Sequence, residues 1–173
     1  MPTIELCLPA RAVQRAAAIL LTLVLATACA SSPVAPENDD VVGLGPAHVL
    51  SGDAEPGDRV IWGGRIASIR NLADRTELTV VSYPLDRGDR PRLNQDPGVR
   101  FLLRYPDFLE PAQYVPGRFV TVLGTVEGLE VLTVDEHELR HPVLDGERLH
   151  LWPADASRWQ SQTRFSIGVG IRL

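Results

Sequence analysis

From Val60 to Trp152 the chain is a succession of short β-branched and aromatic runs: VIWGGRIASIRNL, TELTVVSY, VRFLLRY, RFVTVLGTVEG, LEVLTVDEHEL and ERLHLW. They are separated by turn-forming clusters such as PLDRGDRPRLNQDPG and PAQYVPG. Such punctuation predicts strands, and no amphipathic helical period interrupts it. Leu78 and Val80 would face one side of a strand and Glu77 and Thr79 the other, and Val120, Val122 and Val126 repeat the pattern. About six strands in so short a stretch predict an all-β fold, a small closed or sandwiched body. Gly63-Gly64 inside the first run predicts the sharp bend of a barrel corner, because glycine within a strand marks a bulge or bend. A long bent first strand followed by a meander is what an OB-like five-stranded barrel requires. Glu127-Gly128, between two runs, predicts a tight hairpin turn.

A different grammar governs the front of the chain. Arg11 and Arg15 flank the apolar run Ala16 to Leu25, which ends in Ala26-Thr27-Ala28 and then Cys29. This is the layout of an export signal over residues 1–28. An apolar run of about ten residues is half the roughly 20 needed for a permanent helical span, so cleavage is expected. Small residues directly before a cysteine resemble the lipobox of bacterial lipoproteins, in which the cysteine thiol is acylated and becomes the new N-terminus. Cys29 is therefore the expected lipidation site. The lipobox commonly has leucine three places before the cysteine; Ala26 stands there, and Ala26-Thr27-Ala28 also suits ordinary signal peptidase, which would release a soluble periplasmic protein. Ala30 after the cysteine matches the pattern of lipoproteins sent to the outer membrane.

Cleavage leaves 145 residues (173 minus 28), one domain's worth, with Cys29 as the lone cysteine and hence no internal disulfide. Removing Glu5, Arg11 and Arg15 from 17 basic and 22 acidic residues leaves 15 against 21. That mild acidity argues against nucleic acid as a partner. Every basic residue is arginine. Residues 29–56, rich in Ser, Pro, Asp, Glu and Gly, read as a disordered tether, with Val41, Val42 and Leu44 able to dock late. Residues 57–153 form the barrel. Residues 154–173 form a tail whose end alternates Phe165, Ile167, Val169, Ile171 and Leu173 with small or polar residues, as an added edge strand would.

Two motifs invite chemistry. His137-Glu138-Leu139-Arg140-His141 matches the zinc-protease pattern H-E-x-x-H, which requires a helix to bring two histidines onto one metal. The preceding Val131-Leu132-Thr133-Val134 is strand-like and Pro142 forbids a continuing helix, so a metal-dependent hydrolase centred on His137 and His141 is the weaker alternative, and no metal or cofactor is expected. His150 lies too close in sequence for the usual third ligand. Trp62, beside Gly63-Gly64, is a candidate stacking platform for a glycan or other small ligand; its other reading is a core residue.

The lipobox, Trp62-Gly63-Gly64-Arg65-Ile66, the Pro84-Leu85-Asp86 stretch with Gly88 and Pro91, Val99-Arg100-Phe101-Leu102, Phe108-Leu109-Glu110-Pro111, Tyr114 and Gly117-Arg118-Phe119-Val120-Thr121-Val122 with Gly124 together resemble the Slp family of outer-membrane lipoproteins. The resemblance implies a non-enzymatic lipoprotein linked to starvation or envelope stress, facing the periplasm, with no catalytic residues to carry over. Its expected partners are outer-membrane lipid through acylated Cys29 and an envelope protein.

Overall fold

The computed structural model describes residues 32–36, 38, 40–134 and 137–159. Cys29, the signal segment and the alternating strand at 165–173 lie outside these residues. Five strands, β1 (Arg59–Asn71), β2 (Thr76–Ser82), β3 (Arg100–Tyr105), β4 (Phe119–Val134) and β5 (His137–Leu151), close into a barrel in the order β1-β2-β3-β5-β4. Neighbours are antiparallel except β3 and β5, whose short parallel ladder, Leu102 to Arg104 against Val143 to Asp145, completes the circle. The OB-like barrel expected from the strand pattern is present.

β1 serves two neighbours. Arg59 to Arg65 pair with β4, and Gly64 to Asn71 pair with β2, so the strand changes partners at the Gly63-Gly64 corner. A bulge between Ile66 and Ser68 tightens the bend further. The inward residues are those the alternation selects: Leu78, Val80, Val120 and Val122 are fully buried, together with Val60, Trp62, Ile66, Phe101, Leu103 and Leu144. Trp62 meets Phe101 edge to face at 5.1 Å, a geometry that aromatic quadrupoles favour.

Two expectations change. The hairpin turn at Glu127-Gly128 does not form; β4 runs through it. Val126 pairs with Leu144 and Gly128 with Val143, so Glu127 is one extra residue in the strand, a bulge that Gly128 accommodates with φ of 131°. The runs RFVTVLGTVEG and LEVLTV are therefore one strand, and the count is five. Beyond the barrel the two strands continue as a ribbon, Leu129 to Val134 against His137 to Pro142. Pro142 is tolerated there because, of the strands, only β4 flanks β5 at that point.

The second change concerns the span read as a tether. From Val34 onward its described residues belong to the folded body. Val42 donates its amide to Arg59, a helix α1 (Pro46–Ser51) opens on Pro46 and closes on Gly52 with φ of 84°, and Val49 and Ala54 enter the core. Pro at the first helical position and glycine just past the end are the usual signals of such a short helix.

On the outside of β2, Glu77 is only 4% exposed and is flanked across the ladder by Arg70 on β1 and Arg104 on β3. Arg70 reaches it at 2.5 Å and Arg75 at 3.2 Å, and Arg104 in turn pairs with Glu127 and Glu130. Burial alone would raise the Glu77 carboxyl, but the hydrogen bonds from Arg70 and Arg75 hold it below the usual glutamate value of 4.5. A depressed folded-state value contributes stability above the unfolded pKa, and that contribution is lost as pH falls through the folded value. Resistance to urea should thus fall below about pH 4.5. Glu77→Gln is expected to lower stability near neutrality by about 2 kcal/mol and to flatten the acid limb, since charged hydrogen bonds are lost while the amide stays bonded.

Candidate functional site

Residues 41–46, β1 at Ile61 to Gly63, and the segment Tyr83 to Asp89 enclose a cleft of about 350 Å³. Its walls are held from both sides. On one, the Trp62 indole N–H donates to the Leu44 carbonyl at 2.8 Å. On the other, Asp86 organises its own loop: the carboxylate accepts from the amides of Gly88 (2.8 Å) and Arg90 (3.1 Å) and from Arg90 Nε (3.0 Å). Burial pushes this carboxyl up, yet those amides and the guanidinium leave it below its ordinary value, so it is an anion with its lone pairs engaged. The loop is then pinned to the barrel, because Thr121 Oγ1 donates to the Asp89 carbonyl (2.7 Å) and accepts from the Trp152 indole (2.9 Å). Sequence reasoning singled out the Pro84-Leu85-Asp86 stretch without finding this role; a short acid two residues before Gly88 is the signal that such a side chain caps its own turn.

The cleft is lined by the apolar Val42, Leu44, Ile61 and Leu85 and by the acidic Asp86 and Asp89. Trp62 is not its stacking platform. The residue is 2% exposed, forms an edge-to-face pair with Phe101 and gives its N–H to Leu44, so neither ring face is open to a sugar or base.

The H-E-x-x-H pattern lies on β5, so the helix that its chemistry demands is not formed there. Residues four apart on a strand are about 13 Å apart along the chain, whereas two zinc ligands approach one ion to about 2 Å each. His141 is buried, with Nδ1 at 3.0 Å from the Leu139 carbonyl. His150, the third histidine considered, pairs in register with Thr121 and packs edge to face on Trp152 at 4.4 Å; burial pushes its pKa down. Residues 141 and 150 thus occupy separate places on the strand, and no shared centre is assembled from them.

The family model described as the outer membrane lipoprotein Slp family matches residues 26–167. The chain belongs to this family. Among relatives of this Slp-family protein, the uncharacterized lipoprotein YeaY of Escherichia coli K12 is 32% identical over 72 residues, which is 42% of this chain and 37% of YeaY. The outer membrane protein Slp of the same organism is 33% identical over 72 residues, 42% of this chain and 38% of that one. The chain thus spans less than half the length of these two relatives. Membership places the Slp-family chain among outer membrane lipoproteins.

A solved structure of the mitochondrial single-stranded DNA binding protein Rim1 of S. cerevisiae is similar at TM-score 0.34 and 18% identity, covering 56% of this chain and 96% of Rim1. The exclusion of nucleic acid drawn from the charge balance is corrected by this comparison. A likeness at this level assigns no partner, nucleic acid or other.

Proposed function

We propose that Cys29 is the acylated residue of this outer membrane lipoprotein, that cleavage falls behind Ala28, and that the barrel is a non-enzymatic module facing the periplasm in starvation or envelope stress. The observation that carries the reading is the extent of the family match: it begins at Ala26 and so takes in Ala26-Thr27-Ala28-Cys29 together with the barrel. The lipid supplies the attachment, since each buried methylene contributes about 0.8 kcal/mol and two or three acyl chains together hold a protein durably where one does not. The strand geometry of residues 137–141, where the helix that H-E-x-x-H chemistry demands is not formed, supports the non-enzymatic part. The cleft favours a second reading, a small apolar ligand held between residues 41–46 and Leu85.

Cys29→Ser is expected to abolish incorporation of labelled palmitate and to move the protein from the membrane fraction to the soluble periplasm, while leaving its thermal unfolding unchanged. Retention of the label by the variant would show acylation elsewhere, and a wild-type chain that takes up no label would end the reading.

A further inference from the structure

We infer that the barrel rides directly on the bilayer, with the outer surface of β5 around Glu147 and Arg148 turned toward the lipid, and does not hang on a long flexible leash. This rests on the acylation of Cys29 proposed above.

The argument begins with where the chain stops being free. Val34 is 1% exposed. Arg148 Nη1 donates to the Ala35 carbonyl at 2.5 Å, fixing that residue to β5. Arg59 at the start of β1 then grips Asp40 at 2.7 Å and Glu147 at 2.6 Å, linking the incoming segment, β1 and β5 through one guanidinium. The Val42 amide donates to the Arg59 carbonyl at 2.9 Å, and Trp62 holds the Leu44 carbonyl at 2.8 Å. Four ties thus hold Ala35, Asp40, Val42 and Leu44 to the barrel.

Only five residue steps separate Cys29 from Val34, which at full extension is about 18 Å. Were residues 29–56 all free, the same anchor would allow about 95 Å at full stretch, or about 30 Å as a typical coil distance. The acylated sulfur sits at the headgroup level of the bilayer. The surface carrying Ala35, Glu147 and Arg148 is consequently held within one small-domain radius of the lipid, and the turn joining β1 to β2, at the far end of β1 from Arg59, is held away from it.

The test uses acylated full-length mature protein, extracted from membranes, checked by intact mass and reconstituted in vesicles of phosphatidylethanolamine and phosphatidylglycerol containing an acceptor-labelled lipid. The mature chain has no cysteine other than Cys29, so a donor dye can be attached at Asn38→Cys or, separately, at Asp74→Cys, both exposed positions. Energy transfer to the bilayer should be several-fold stronger from position 38 than from position 74. Inserting 20 Gly/Ser residues after Ala30 should bring transfer from position 38 down toward the value at 74. Equal transfer from the two positions with the native spacer, or no change on insertion, overturns the orientation. A mass without acyl chains instead overturns the Cys29 reading, and the orientation with it.

Discussion

Gly64→Ala is expected to destabilise the barrel by about 3 kcal/mol or more, lowering the melting temperature by about 10 °C. A Cβ built on Gly64 would stand 2.0 Å from the Val81 carbonyl oxygen and 2.9 Å from the Ser82 Cα. Both are backbone atoms of β2, so no side chain can swing aside to relieve the contact. The site is also where β1 pairs simultaneously with Ser82 on β2 and Val120 on β4, and a shift that cleared one ladder would break the other. The natural control is Gly43→Ala, which has nothing within 4 Å of the added carbon and should stay within about 0.5 kcal/mol of wild type. Paired thermal and urea melts check both. A Gly64→Ala protein as stable as the Gly43→Ala protein would mean that the corner is not packed as described.

The corner was legible because glycine weakens a strand interior, so two in succession within a run of β-branched residues point to a backbone that must bend or be closely approached. The alternation of Leu78 and Val80, or of Val120 and Val122, was equally plain, since a strand with one buried face writes its period directly into the sequence. Glu127-Gly128 was not legible. A turn and a bulge both call for a glycine with positive φ, and what separates them here is the pairing of Leu144 and Val143 with β4, a contact some 15 residues away. The docking of the incoming segment was hidden for a related reason. Its polar composition suits a tether, but the groups that fix it include the backbone carbonyls of Ala35 and Leu44, and their donors, Arg148 and Trp62, are far along the chain. The same blindness affects Trp62: a tryptophan beside glycines reads as a platform or as core, and only the covering segment decides.

Trp62→Ala should therefore be read as a test of packing and of docking together. Truncating a buried tryptophan costs about 3–5 kcal/mol, since it removes the ring's contacts and leaves a cavity against Phe101 that the barrel's ladders keep from collapsing. The Leu44 carbonyl also loses its donor, which adds about 1–3 kcal/mol if no water replaces it. Trp62→Phe separates the two contributions, because it keeps an aromatic ring near Phe101 and lacks only the N–H and part of the volume. It should show the smaller loss while still loosening residues 41–46. Amide hydrogen exchange gives that second readout: the Val42 amide, bonded to the Arg59 carbonyl, should exchange faster in both variants, whereas amides in the β2–β3 ladder should speed up only in Trp62→Ala, in step with its global stability. If Trp62→Phe left Val42 exchange untouched, the indole bond would not be what holds the segment, and the ion pairs of Arg59 would have to carry the docking alone.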